Sequence, residues 1–123
     1  MVVAHTDVPV HDRCSAVRDI LARIGDKWSV LIVMSLGDEA VRFNELKRRI
    51  GSISQRMLTL TLRGLERDGL VERHFVATIP PQVSYKLTAL GHSLRKPVEA
   101  LGQWALLHRD TVVQARTRFD AKP

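Results

Sequence analysis

With one cysteine, Cys14, in a chain of 123 residues, an internal disulfide is impossible, and a reducing compartment is the natural setting. Aromatic residues make up only 5% of the chain, too few for the stacking platforms that single-stranded RNA recognition uses. No run approaches the roughly 18 consecutive apolar residues of a membrane span. The N-terminal "MVVAHTDVPVHDR" also lacks the basic start and apolar centre of a signal peptide, so a cytoplasmic protein with no membrane partner is expected. Catalytic signatures are missing too: there is no G-x-S-x-G, no P-loop and no H-E-x-x-H, and the five histidines lie on separate elements. No enzyme is expected. His5, Asp7, His11, Asp12 and Cys14 cluster in sequence but match no compact zinc spacing, so neither a metal nor a cofactor is expected.

Positive charge, by contrast, is plentiful and unevenly placed. Lys plus Arg number 19 against 13 Asp plus Glu, a formal charge of +6. Between Lys47 and Lys86 stand eight basic residues and three acids, so a third of the chain holds most of the excess. That is the footprint of a protein that meets a polyanion such as DNA, with a merely solvated basic face as the alternative. At 45% hydrophobic, the chain is long enough for one domain with a real core and too short for two.

Residues 1–12 show no period and contain Pro9, which predicts a mobile arm, with structure beginning near Arg13. Val17, Ile20, Leu21 and Ile24 then recur at helical spacing until Gly25. Asp26 is placed to cap "KWSVLIVMSL", a helix apolar nearly all round and therefore expected to be buried. After Gly37 and a short extended "AVRF", Asn44 is read as the opening of "NELKRRI", with Leu46 and Ile50 inward and Lys47, Arg48 and Arg49 outward. Gly51 ends it and Ser54 caps the next helix, the outline of a helix-turn-helix.

At 100° per residue, Leu58, Leu62 and Leu65 share one face of that second helix, while Arg56, Thr59, Leu60, Arg63 and Arg67 cover the opposite arc. Gly69 supplies the left-handed residue after it. The period then changes to two through "LVERHFVA" and "QVSYKL", a β-hairpin around "TIPP". Thr88 caps a last helical region whose apolar stripe runs through Leu90, Leu94, Val98, Leu101, Ala105 and Val112, with a kink or break expected near residue 96 because of Pro97. The fold expected is mainly α with a small β-hairpin wing: one winged helix-turn-helix domain over residues 13–119, flanked by N- and C-terminal dimerisation helices, with 120–123 frayed.

The blocks "IGDKW", "RFNELKRRI", "ISQRMLTLTLRGLERDGLVER", "PPQVSYKLTALGHSL" and "VEALGQW", in that order, resemble the HxlR-type transcriptional regulators, relatives of the MarR-like winged-helix proteins. The resemblance implies a homodimeric bacterial DNA-binding regulator whose helix from Ser54 enters the major groove. Ser54, Gln55, Arg56, Thr59, Leu60 and Arg63 match its recognition positions. Leu60 and Gln82 depart from the usual family pattern, at a base-reading position and on the wing respectively. Some members use a cysteine at the position of Cys14 to sense oxidants or electrophiles.

The chemistry of these side chains suits DNA. Arg56 and Arg63 can each place two N–H donors on guanine O6 and N7, and the methyls of Thr59 and Leu60 can meet a thymine methyl. Lys47, Arg48, Arg49, Arg73, Lys86 and a protonated His74 suit phosphates. One helix reads too few base pairs to be selective, whereas two related by a two-fold, about 34 Å apart, read a near-palindromic site. Leu94, Val98, Leu101, Trp104, Ala105 and Val112 are the expected dimer surface, alongside the first helix; an intramolecular core is the alternative for this stripe. Cys14, read at the start of the first helix beside Arg13 and Arg18, is the redox-sensing candidate, since helix N-termini and nearby cations favour thiolate. A small half-buried core residue is its alternative reading. The function expected is sequence-specific regulation of transcription, more as a repressor. The rivals are control by a non-covalent small-molecule ligand and a protein-interaction module without DNA.

Overall fold

The computed structural model describes residues 10–123, in the order α1 (Val10–Ile24), α2 (Lys27–Leu36), β1 (Val41–Arg42), α3 (Phe43–Ile50), α4 (Gln55–Arg67), β2 (Val71–Val76), β3 (Gln82–Leu87) and α5 (Ala89–Asp120). The expected arm over 1–9, and with it His5 and Asp7, lies outside the described residues. Residues 10–12 belong to α1, which therefore starts earlier than Arg13; beyond Pro9 nothing in the sequence breaks a helix until Gly25.

Helix α2 is the spine. The Asp26 carboxylate accepts the Trp28 N–H at 3.1 Å and starts it, and Ile32, Val33 and Leu36 are fully buried. It is not buried all round: Leu31 and Met34 are exposed along one flank, because the other elements gather on its opposite side. Leu46 from α3, Leu58, Leu62 and Leu65 from α4, and Val41, Val71, Tyr85 and Leu87 from the sheet complete the core. Burying each such leucine stabilises the fold by about 1.5–3 kcal/mol before entropy is counted.

Helix α3 begins at Phe43, with Arg42 at the N-cap position and no side-chain cap bond, so Asn44 is not the cap. Phe43 is packed against the core, and that contact draws the first turn one residue earlier. At the other end of the motif, Gly69 adopts a positive φ of 78°. There the Leu70 N–H reaches the Leu65 carbonyl and the Gly69 N–H the Glu66 carbonyl, the paired bonds of a Schellman stop.

The chain turns from there into an antiparallel sheet of order β1-β3-β2, with Val71 opposite Leu87, His74 opposite Ser84 and Val76 opposite Gln82. The "AVRF" stretch contributes β1, which pairs Val41 with Tyr85 and Arg42 with Ser84. Thr88 Oγ1 accepts the Gly91 N–H at 3.0 Å, capping α5, and donates to the Gly69 carbonyl at 2.6 Å. One hydroxyl thus joins the end of α4 to the start of α5. Gly91 lies directly under the Leu70 carbonyl, where a Cβ would come within 2.1 Å of that oxygen.

Helix α5 passes Pro97 without the expected break, 32 residues in one piece. Pro97 and Ser93 are both on the exposed side, so the Ser93 carbonyl left without its usual donor faces water, while Leu94 and Val98 on the inner side hold the helix to the core. The α1 stripe lies largely open. Val17, Ile20 and Leu21 are more than half exposed, and Ile24 alone of the four is packed against the core, because among the described residues nothing covers the rest of the stripe.

Candidate nucleic-acid interface

Ser54 Oγ accepts the Met57 N–H at 3.0 Å and fixes where α4 starts. From that point the helical period decides what each flank does. Leu58, Leu62 and Leu65 are wholly buried, and Thr61 donates its hydroxyl to the Met57 carbonyl at 2.8 Å. On the other flank Gln55, Arg56, Leu60, Arg63 and Arg67 are exposed and Thr59 is half-buried. Among the described residues Arg56 and Arg63 make neither a hydrogen bond nor an ion pair, so both guanidinium groups project freely. Seven residues apart, they lie about 10 Å from one another along the same stripe.

The basic residues around this helix divide into paired and unpaired sets. Arg48 and Arg49 both bind Glu45, each through Nε at 3.0 Å. Arg49 also donates to the Ser35 carbonyl at 2.9 Å, at the C-terminal end of α2. These two were expected as outward phosphate contacts; the structure instead joins them to an acid one turn away, and Arg49 ties α3 to α2. The Arg48 side chain, followed by that of Arg49, holds the Glu45 carboxyl below the ordinary carboxylate range. His74 is likewise engaged, its Nε2 2.8 Å from the Glu72 carboxylate on the same strand face. Arg73 extends over the Phe75 ring at 5.8 Å, and Lys86 is exposed. Lys47 is half-buried.

Between the N-terminal end of α4 and the β2–β3 hairpin runs a groove of about 670 Å³, lined by Arg42, Asn44, Gln55, Thr59, Arg73 and Gln82, among others. Sequence reading missed Arg42 and Asn44. The clue was the extended "AVRF": a strand there pairs with the hairpin and carries Arg42 to the groove edge.

Of the expected dimer residues, Leu101, Trp104 and Ala105 are exposed and Val112 is half-buried, whereas Val98 is buried and Leu94 packed within the protein's own core. The reason is periodicity: Leu94 and Val98 fall on the inner face of α5 beside α2, and the helix then runs beyond the core. Leu106, Leu107 and Phe119 are exposed as well, and Trp104 stacks on His108 with ring centroids 4.6 Å apart. Cys14 is exposed, so it is not a core residue. It sits in the second turn of α1 rather than at its start, which removes the helix N-terminus from the reasons for thiolate. Among the described residues no group of His, Cys, Asp and Glu could hold a metal ion, and no helix is long and apolar enough to cross a membrane.

Two short helices at a glycine turn, the second pinned by leucines along one flank and followed by a β-hairpin, define a winged helix-turn-helix protein. The model of the HxlR-like helix-turn-helix family matches residues 23–112, and the chain belongs to that family, whose members are transcriptional regulators. It is 37% identical over 99 residues to the HTH-type transcriptional regulator YtfH of Escherichia coli (strain K12), covering 80% of this chain and 79% of that one. The solved structure of YtfH from Salmonella typhimurium superposes with a TM-score of 0.76 at 37% identity, over 81% of this chain and 89% of the other. The redox regulator HypR in its reduced form gives a TM-score of 0.73 at 40% identity, over 80% and 98%.

Proposed function

We propose that this regulator binds double-stranded DNA sequence-specifically as a homodimer and represses transcription by occupying a promoter. The observation that carries the reading is the two-sided character of α4: leucines of zero exposure on one flank, and the unpaired guanidinium groups of Arg56 and Arg63 on the other. With α4 in the major groove, Arg56 and Arg63 read base edges, Thr59 and Leu60 meet thymine methyls, and Ser54 and Gln55 bring the helix N-terminus to a phosphate. Arg42, Arg73 and Lys86 take the flanking backbone, which fits the groove between α4 and the hairpin. Dimerisation follows from selectivity and from the apolar faces left open on α1 and the outer half of α5, namely Val17, Ile20, Leu21, Leu101 and Trp104. A gel-shift titration against the DNA upstream of its own gene tests this. A retarded species at two chains per site is expected, and equal affinity for unrelated duplexes would overturn sequence-specific recognition.

Cys14 is the proposed oxidant or electrophile sensor. Its exposure supports the assignment, as does the likeness to a protein named a redox regulator. With one cysteine per chain, the products open to it are a symmetric bridge between two Cys14 thiols, which gives two electrons and two protons to the oxidant, a mixed disulfide, a sulfenic acid or an alkylated thiol. Diamide is expected to change DNA binding of the native protein and not of Cys14→Ser; identical curves for both remove this role. A cavity of about 830 Å³ between α1, the end of α4 and α5, lined by Ile20, Ile24, Leu70, Leu90 and Leu94, favours control by a non-covalent small-molecule ligand as the second reading.

A further inference from the structure

The tip of the hairpin has no place in the electrostatic account given so far. From Phe75 to Tyr85, eleven consecutive residues carry no charged side chain, in a chain where 26% of residues are charged. At its apex Ile79 is fully exposed, followed by Pro80 and Pro81, and Phe75 and Val76 below it are about half exposed. The tip is also well built. The Thr78 N–H reaches the Val76 carbonyl at 2.9 Å, and its hydroxyl donates to the Pro80 carbonyl at 2.7 Å, so Ile79 is carried on a closed turn. A tip meant to follow phosphates would carry lysine or arginine, and this one carries neither.

We propose that Ile79 is an apolar wedge that partly unstacks a base step in the minor groove next to the major groove occupied by α4. The inference rests on the DNA-binding reading above and adds a second mode of recognition to it. Three features commit the tip to DNA rather than to another apolar surface. Pro80, Pro81 and Gln82 line the same groove as Gln55 and Thr59 of α4, so tip and helix face one side of the molecule. Arg42 and Arg73 line that groove as well, and its one acid, Glu45, is already held by Arg48 and Arg49, so the groove suits the sugar–phosphate strand that separates the two DNA grooves. The hairpin is long enough as well: a six-residue strand carries the tip about 20 Å from its root at Val71, against the roughly 17 Å, half of a helical turn, between successive major and minor grooves on one face.

A side chain inserted in this way kinks the duplex toward the major groove, and pyrimidine–purine steps such as TA and CA/TG yield most easily. The tip therefore selects sequence without hydrogen bonds, by the ease with which one step opens. In a two-fold dimer the preference appears twice, once at each flank of the site.

The test uses the full-length protein and a duplex that it selects from a random-sequence pool. Bending is read by energy transfer between dyes at the duplex ends, and unstacking by 2-aminopurine placed at the flanking step. Native protein is expected to bend the selected duplex and brighten the 2-aminopurine, whereas Ile79→Ala loses both and binds about tenfold more weakly. Ile79→Lys separates a wedge from a phosphate contact: a wedge predicts lost bending, whereas tighter binding with a steeper salt dependence would overturn the proposal. A selected duplex that stays straight, with Ile79→Ala indistinguishable from native, overturns the wedge and leaves base reading by α4 intact. Failure to select any sequence overturns both. Ile79 has no neighbour to lose, so an unchanged thermal transition is expected for both variants.

Discussion

The guanidinium of Arg23 on α1 lies across Gly64 of α4 and binds Asp68, the residue that caps α4, through Nε at 2.8 Å, an ion pair between these two helices. It fits only because residue 64 has no side chain: a Cβ there would meet Arg23 Nη1 at 2.2 Å. Gly64→Ala is expected to displace the arginine, a flexible chain end that moves at little cost. Alanine improves helix propensity by about 1 kcal/mol, and a part-exposed pair is worth at most about 1 kcal/mol, so urea unfolding should change by less than about 1 kcal/mol. The same variant uncouples α1 from α4, and a change in DNA affinity at unchanged stability would be its signature.

Gly91→Ala should behave differently. Its Cβ would stand 2.1 Å from a backbone oxygen of Leu70, and backbone cannot swing aside as Arg23 can. Parting α5 from the sheet is expected to cost about 1–3 kcal/mol, more than the propensity gained, and to show as a lower urea midpoint at an unchanged slope.

Arg63→Ala and Lys86→Ala are expected to fail in distinct ways. Loss of a bidentate base contact costs about 1–3 kcal/mol at one base pair and relaxes preference there, whereas loss of a phosphate contact weakens every sequence and lowers the salt slope by about 1. Anisotropy titrations at several salt concentrations, on matched and single-substituted duplexes, measure both. Equal losses on all sequences for both variants would contradict the division of labour.

Glu45→Gln tests the acid that holds Arg48 and Arg49. Freed from it, Arg48 can reach a phosphate, while Arg49 keeps its bond to the Ser35 carbonyl, so non-specific DNA binding should tighten with a salt slope steeper by about 1. Lowering the pH should do the same in the native protein. Because the Arg48 and Arg49 side chains hold the Glu45 carboxyl below its ordinary range, the stability it contributes is complete above that range and is lost as pH falls through the lowered value.

Ile20→Asp or Leu101→Asp is expected to yield a folded monomer, since both side chains are more than half exposed and neither belongs to the core. Sedimentation velocity should show halved mass with an unchanged circular dichroism spectrum, and DNA affinity should fall steeply.

Much of the fold was legible in the sequence because the signals that specify it are local. Asp26, Ser54 and Thr88 all cap the helices they were expected to cap, and Gly69 stands in the left-handed turn, because a cap or a positive φ is decided within a few residues. The flanks of α4 followed from period alone. What escaped depended on contacts across the chain. That Glu45 takes two arginines while Arg56 and Arg63 take none requires knowing which elements are neighbours. Val98 and Leu101 belong to one apolar stripe in the sequence, yet one is core and the other surface, because the place where α5 leaves the domain is set by α2. Of the kink or break that Pro97 predicts, the break does not occur, since a helix can run through a proline when the carbonyl it frees lies on the exposed side.

The continuity of α5 gives the molecule a mechanical property. Thirty-two residues of unbroken helix make a span of about 48 Å, anchored at Thr88 beside the end of α4. Over that length a rotation of about 5° at the far end corresponds to a displacement of about 4 Å at the root. Two copies clasped by their outer halves would carry their α4 helices at a separation governed by that angle. A small slip in the clasp would then move both helices out of step with the 34 Å repeat of the double helix at once.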